Sequence, residues 1–239
     1  MTEKEIKARY KRAVFGFLWI LLNPLLQMAV IGFIFSFFID IPNYFLFLFS
    51  GLLAWQFLSV SLSKATPSIV YERALLQKAK FPIEVIPLSI VLSNFFHLLV
   101  SYLFLIIFLL LSGNAKYPDI LMLIPALIWL LIFTLGLALF FSSLNVIYRD
   151  VAFIVQTILV LWFYVTPVMY SLDLVPSEFY ALYSINPLTS ILELFHKSFL
   201  GREDPNINIL VINLIISITV LFIGIVVFKK QQKHFIDWL

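Results

Sequence analysis

Residues 120–144 read ILMLIPALIWLLIFTLGLALFFSSL, a run of 25 residues without a charged side chain. A helix of about 20 apolar residues crosses the ~30 Å hydrocarbon core of a bilayer, so this run predicts a membrane-spanning helix. Five further runs have the same character: 14–39, 44–62, 85–111, 151–170 and 207–228. Together they predict an all-α integral membrane protein with six transmembrane helices.

The overall composition agrees with this fold class. The chain has 239 residues, of which 62% are hydrophobic and only 12% charged. A soluble domain of this size has too little interior to bury so much apolar surface. Membrane β-barrel strands alternate in polarity, whereas these runs are continuously apolar, so helices are expected. The absence of cysteine excludes disulfides, thiolate metal ligands and cysteine nucleophiles.

The basic residues predict how the spans are oriented. Thirteen of the 16 Lys and Arg residues fall in the N-terminal segment, the tail and the alternate loops between them, and three fall on the opposite side. By the positive-inside rule, both termini are expected in the cytoplasm. The net charge of +3 reflects this asymmetry, so no nucleic-acid partner is expected.

Three segments outside the runs have a recognisable character. Residues 1–13 predict an amphipathic helix on the inner membrane surface, or only an orientation signal and an anchor to membrane lipid. The inner loop 63–84 contains a helix-compatible stretch, either a docking element or a solvated connector. The outer segment 171–206 is apolar and contains Asn186-Pro187, which favours a re-entrant pair of short helices over two further partial spans.

Catalytic and nucleotide-binding motifs are missing from the sequence. It contains no GxxxxGK[ST] phosphate loop, no HExxH and no clustered metal ligands. None of the six runs contains Asp, Glu, Lys or Arg, and His97 is the only titratable candidate for ion coupling within them. We therefore expect no cofactor or metal on this chain, no enzymatic activity, and an energy source in another subunit.

Six short motifs occur in order along this frame. They are Arg9-Tyr10 with Gly16-Phe17-Leu18-Trp19 and Asn23-Pro24-Leu25; Phe49-Ser50-Gly51-Leu52-Leu53-Ala54-Trp55; Leu76-Gln77-Lys78-Ala79-Lys80-Phe81-Pro82; Asn145-Val146-Ile147-Tyr148-Arg149-Asp150; Thr166-Pro167-Val168-Met169-Tyr170; and Asn186-Pro187. This series resembles the type 2 permeases of ATP-binding-cassette (ABC) exporters, and more narrowly the subfamily that exports O-antigen, capsular polysaccharide and teichoic acid. The region before Arg9 is shorter than this subfamily leads us to expect, which leaves the extent of the surface helix open.

The resemblance implies a set of partners. The chain would pair with a second copy of itself and with two ATPase subunits, which carry ATP and Mg, in a bacterial plasma membrane. The ATPase contacts would be Arg73, Leu76, Lys78, Lys80 and Phe81 on a coupling helix, with Arg149 and Asp150 at a second loop. A structural salt bridge between Arg149 and Asp150 is an equal alternative.

The resemblance also implies a pathway and an outer gate. Spans one and five would line the channel, where aromatic rings stack on sugar faces and polar groups bond to hydroxyls. Asn23 and Gln27, one turn apart, would bond either between subunits or to substrate. The lining candidates are Phe15, Trp19, Asn23, Gln27, Phe33, Phe37, Trp162, Phe163 and Tyr164, and the gate candidates are Tyr170, Asn186 and Pro187. These aromatic residues also suit helix packing, lipid contact and interface anchoring.

Three functions are compatible with these observations. The leading hypothesis is the permease subunit of an exporter of lipid-linked polysaccharide, with residues 1–239 as one transmembrane domain. The alternative within the same superfamily is the permease of a drug or small-lipid exporter. A membrane-embedded enzyme would need an acid–base pair, for which Glu193 with His196 is the only nearby candidate.

Overall fold

The computed structural model describes residues 2, 18–78, 82–112, 118–201 and 205–235. Within these residues the regular structure is entirely helical. In chain order the α-helices are α1 Trp19–Phe35, α2 Tyr44–Tyr71, α3 Arg73–Lys78, α4 Val85–Ser112, α5 Ile120–Ile147, α6 Val151–Val165, α7 Tyr180–Ser184, α8 Pro187–Leu200 and α9 Ile207–Gln231. Short 3-10 helices lie at Leu172–Leu174, Ser177–Phe179 and Gln232–His234.

Four helices in the described part of the chain are long and apolar enough to cross a membrane: α2, α4, α5 and α9. The all-α integral membrane class is therefore confirmed. Helix α6 has 15 residues and, at 1.5 Å per residue, extends about 22 Å, and the described part of α1 has 17 residues. A count of six complete spans stays a prediction.

Helix α6 ends five residues before the predicted run does. Thr166 has extended backbone angles (φ −100°, ψ 136°) and precedes Pro167. A proline disfavours the helical conformation at the residue before it and has no N–H to donate, so the helix stops at Val165. The remainder of the run, 166–170, is a tight turn packed into the protein.

Helix α2 occupies the centre of the bundle. It packs against α1, α4, α5, α6 and α8, and most of its side chains are buried. Two phenol hydroxyls connect this helix to its neighbours. Tyr102 of α4 donates to the Ser50 carbonyl of α2 at 2.8 Å, and Tyr44 of α2 donates to the Met169 carbonyl at 2.9 Å. These bonds satisfy carbonyls that water cannot reach.

Helix α2 also extends further than the sequence predicts. The apolar run ends at residue 62, yet the helix continues through Lys64 and Pro67 to Tyr71. Proline within a helix leaves the carbonyl four residues earlier without its usual donor, and transmembrane helices tolerate this when neighbours compensate. The inner loop is thus shorter than 63–84, and α3 follows α2 after a turn at Glu72.

Helices α5 and α9 cross at two glycines. A Cβ atom on Gly136 would lie 2.6 Å from the Leu221 Cα atom, and one on Gly224 would overlap the Gly136 carbonyl oxygen. Small residues let transmembrane backbones approach in this way. Near the same interface the Trp129 indole donates to Ser217 Oγ at 2.7 Å.

The outer segment 171–206 contains α7 and α8 on either side of Asn186. Asn186 caps α8 by accepting from the Leu188 amide at 3.2 Å, and Pro187 stands at the start of the helix. The helix ends at Gly201, whose φ of 64° suits glycine. The predicted pair of short helices is present, and its entry into the membrane stays a prediction.

Candidate functional site

A groove lies between α1 and α6, with α2 as its floor. It has a volume of about 410 Å³. Its walls combine uncharged polar groups with apolar and aromatic side chains: Gln27, Ile31, Trp55, Ser59, Ser63, Gln156, Leu159, Val160, Phe163 and Tyr164. Such a surface can offer hydrogen bonds to hydroxyls and flat rings to sugar faces without presenting a charge.

A chain of side-chain amides connects α1 to α2 beside this groove. Gln27 Nε2 donates to Asn23 Oδ1 at 3.1 Å, one turn earlier on α1. Gln56 Nε2 then donates to Gln27 Oε1 at 3.0 Å across the two helices. Asn23 and Gln27 are predicted to bond between subunits or to substrate, which stays a prediction, and Gln56 was missed. Its signal was an isolated amide within an apolar run, where a polar group needs a partner.

An aromatic cluster lies where α2, α5 and α6 meet. The Trp55 ring is 6.3 Å from Trp162 at a near-perpendicular 85°, and 5.4 Å from Phe163. Phe133 on α5 meets Trp162 edge to face at 6.1 Å. Phe163 therefore lines the groove, Trp162 borders it, and both rings pack against Trp55 on its floor. Trp55, which was not among the predicted lining residues, is the ring that connects them to α2.

Asn186 joins the top of α6 to the outer segment. Its Oδ1 accepts from the Trp162 indole at 3.3 Å, and its Nδ2 donates to Thr166 Oγ1 at 3.1 Å. The same Oδ1 caps α8 through Leu188. A predicted gate residue and a predicted lining residue are thus in direct contact.

Tyr170 forms a second connection to the outer segment. Its hydroxyl donates to the Tyr164 carbonyl at 2.8 Å and lies 2.8 Å from the Tyr183 hydroxyl. Burial, together with the hydrogen bond to Tyr183, raises the pKa of the Tyr170 phenol well above its ordinary value. The phenol therefore stays protonated and keeps its role as a donor.

The other predicted lining residues lie elsewhere. Phe33 and Phe37 are exposed at the far end of α1 and contact each other edge to face at 5.3 Å. Trp19 borders a separate cavity between α1, α2 and α4. Phe15 lies outside the described residues, as does the surface helix predicted at 1–13 apart from residue 2.

Three of the predicted ATPase contacts, Arg73, Leu76 and Lys78, lie on α3. Arg73 is exposed, and Leu76 is half-buried against a small apolar cluster that includes Ile69, Phe228 and Phe235. Lys78 is the last residue of α3, whereas Lys80 and Phe81 lie outside the described residues.

The second predicted contact is the turn between α5 and α6. Arg149 and Asp150 are both exposed there. Asn145 holds the turn, because its Oδ1 accepts from the Ala152 amide at 3.0 Å.

Glu193 and His196 both line a cavity of about 660 Å³ between the segment 171–206 and the turn that follows α6. The His196 ring is buried and stacks on Phe47 with centroids 3.8 Å apart. Over the described ranges, no three His, Cys, Asp or Glu side chains form a group able to hold a metal ion.

The fold and the groove define the class: an all-α, multi-pass membrane protein with an uncharged polar and aromatic groove between its helices. The sequence profile of the ABC-2 type transporter matches residues 1–200. The chain therefore belongs to the ABC-2 type transporter family. Chains of this family are transport permease subunits and are not themselves catalytic.

Several characterised proteins are similar to this chain along its length. An O-antigen export system permease protein RfbA from Klebsiella pneumoniae is 36% identical over 246 residues, covering 100% of this chain and 93% of the relative. A protein of the same name from Myxococcus xanthus is 30% identical, covering 99% and 93%. The polysialic acid transport protein KpsM of Escherichia coli is 20% identical, covering 96% and 91%.

Proposed function

We propose that this chain is the membrane-spanning permease subunit of an ABC exporter that moves a lipid-linked polysaccharide out of the cytoplasm. The observation that carries the proposal is the 36% identity, over the whole chain, to an O-antigen export permease. The polymer would be of the O-antigen, capsule or teichoic-acid type.

The groove between α1 and α6 supports a carbohydrate substrate. Its amides, hydroxyls and rings match the two surfaces of a sugar, which are hydroxyl edges and C–H faces. It contains no Asp, Glu, Lys or Arg among its lining residues, which suits a long polymer that must slide past without tight binding. A single copy has a groove open on one side, and a second copy facing it would enclose a channel.

An ATPase partner fits the inner end of the bundle. The exposed Arg73 and the Arg149–Asp150 turn offer charged contacts there, on α3 and at the start of α6. The sequence has no nucleotide-binding loop of its own. We propose that two ATPase subunits dock on these surfaces and supply ATP and Mg, while this chain binds neither.

The proposed topology has six spans in a bacterial plasma membrane, with both termini in the cytoplasm. Helix α6 would then be a short span, and the connection from 171 to 206 would dip into the outer leaflet. Short spans can be accommodated by local thinning of the bilayer.

Deletion of the gene in its native host tests this function. We expect surface polysaccharide to disappear and lipid-linked polymer to accumulate inside the cell, with both effects reversed by the intact chain on a plasmid. Copurification of tagged chain should recover an ATPase subunit. Normal surface polymer, with only a raised sensitivity to a toxic compound, would contradict the proposal and favour a drug or small-lipid exporter.

A further inference from the structure

A small apolar cluster, separate from the main core, lies at the end of the bundle that carries α3. Its buried members come from α2, α5, α9 and the residue after the last 3-10 helix: Ile69, Leu139, Val146, Phe228 and Phe235. Leu76 of α3 and Leu88 of α4 pack against them. Helices α2, α3, α4, α5 and α9 and the segment that follows α9 therefore share this satellite cluster.

Phe235 differs from its neighbours in sequence, because residues 229–234, KKQQKH, are all polar. After α9 ends at Gln231, the 3-10 helix Gln232–His234 leads the chain to Phe235, whose ring meets the Phe228 ring edge to face with centroids 5.5 Å apart. The Phe235 side chain is 0% exposed, whereas Lys233 and His234 beside it are exposed. One buried ring thus anchors the segment that follows α9.

Helix α3 depends on the satellite cluster for its position. It has six residues, and isolated helices shorter than about 12 to 15 residues are only marginally stable in water, so tertiary packing has to hold it. Arg73 and Ala74 are exposed, whereas Leu76 packs on the cluster. The placement of α3 therefore depends on how the cluster is filled.

The turn between α5 and α6 is connected to the same cluster. Val146, the last residue but one of α5, is buried there, three residues before Arg149. Leu139 lies two turns earlier on the same face of α5. About one turn further along, the contact between Gly136 and Gly224 joins α5 to α9. Both surfaces proposed for ATPase contact are thus attached to one local unit that contains Phe235.

We propose that Phe235 is a positioning residue for energy coupling. By filling the satellite cluster, its ring holds α3 and the α5–α6 turn in one arrangement. A movement of the ATPase subunits is then passed to α5 and α9, because a densely packed interior transmits strain instead of absorbing it. The inference rests on the proposed function, since it assumes that ATPase subunits dock on these two surfaces.

Hydrogen exchange of the purified chain in detergent tests the physical part of this inference. In Phe235→Ala, the amides of α3 and of residues 146–152 should both exchange several-fold faster, because the cavity left by the ring loosens both segments. Phe235→Leu keeps an apolar side chain in the cluster and should restore most of the protection. Unchanged exchange of either segment in Phe235→Ala would overturn the inference.

Phe57→Ala is the matched control. Phe57 is 4% exposed and meets Phe95 edge to face in the main core, with centroids 5.7 Å apart. Its removal should leave the exchange of α3 and of residues 146–152 as in the unaltered chain. Equal acceleration of these two segments by Phe57→Ala would show that Phe235→Ala acts only by lowering overall stability, which would also overturn the inference.

Vesicles that contain the chain and its copurifying ATPase test the functional part. With Phe235→Ala the ATPase should still copurify and hydrolyse ATP, whereas the polymer moved per ATP hydrolysed should fall several-fold. Phe235→Leu and Phe57→Ala should keep the ratio of the unaltered chain. Loss of the ATPase from Phe235→Ala preparations, or an unchanged ratio, would overturn the positioning role.

The two measurements separate this inference from the proposed function. If the unaltered chain moves no polymer, the proposed function fails. Hydrogen exchange needs neither ATPase nor polymer, so it still decides whether Phe235 holds α3 and the α5–α6 turn together.

Discussion

The single residue Asn186 connects three parts of the structure at one end of the bundle. Its side chain bonds to Trp162 on α6, to Thr166 in the following turn and to the first turn of α8. Few side chains can accept two hydrogen bonds and donate another from one amide. The position of α8 over the end of α6 therefore depends strongly on this side chain.

Replacing Asn186 by alanine should lower the free energy of unfolding by about 2 to 3 kcal/mol, because a cap and two contacts between elements are lost together. Thermal unfolding of the purified protein in detergent measures this. Asn206→Ala is the matched control, since Asn206 caps α9 through Asn208. A control as destabilised as Asn186→Ala would show that Asn186 acts only as a helix cap.

Gln56 tests the groove rather than the fold. Gln56→Leu removes the bond to Gln27, and interhelical hydrogen bonds in membranes average only about 0.6 kcal/mol, so the melting temperature should change little. Export should fall several-fold, because Gln27, which lines the groove, loses the partner that holds its amide in place. Surface polymer measured at equal protein level decides this. Thr219→Val, on an exposed site of α9, is the control and should export normally.

Among the helices, the crossing of α5 and α9 is the closest approach of two backbones among the glycine contacts. Gly224 packs on the Gly136 carbonyl, so the interface has no room for a methyl group. Nearby, Asn213 of α9 donates to Ser190 Oγ at 2.6 Å and so joins α9 to α8 as well. The last helix is thus fixed by backbone contact and by polar bonds, although few of its side chains are buried.

Gly224→Ala should force α5 and α9 apart and cost about 1 to 3 kcal/mol, as overpacking of a dense interface does. The loss is measured as a lower unfolding temperature in detergent. Gly32→Ala is the comparison, because its added methyl group would meet the Phe45 ring, a side chain that can rotate, rather than backbone. Equal effects of the two substitutions would contradict the account of the glycine crossing.

For the whole molecule, the sequence predicts much of the fold because a helix that crosses lipid needs about 20 predominantly apolar residues in a row. The runs 85–111, 120–144 and 207–228 coincide within three residues with α4, α5 and α9. Helix ends are harder to predict. Lys64 made 63–84 resemble a loop, yet backbone hydrogen bonding continues the helix past the apolar run to Tyr71.

The candidate site was predictable only in part. Asn23 and Gln27 could be paired from their spacing, because residues four apart meet on a helix. Their bond to Gln56, and the approach of Trp55 to Trp162, depend on which helices pack together. Hydropathy does not decide that choice, since large apolar residues occur on every side of the spans.

The orientation of the whole chain can be measured directly because the sequence contains no cysteine. Single cysteines at the exposed positions Arg73 and Glu178 should report opposite sides of the membrane. In intact cells an impermeant thiol reagent should label Glu178→Cys, and it should label Arg73→Cys only after the cells are opened. Labelling of both from outside would show that the predicted topology is wrong.

Reconstitution tests the central claim most directly. The purified chain and its copurifying ATPase are placed in lipid vesicles with lipid-linked polysaccharide, and the polymer that becomes protected from an added glycosidase is measured. We predict protection that requires ATP, this chain and the ATPase together. Movement of polymer without this chain, or none with all components present and ATP being hydrolysed, would contradict the account.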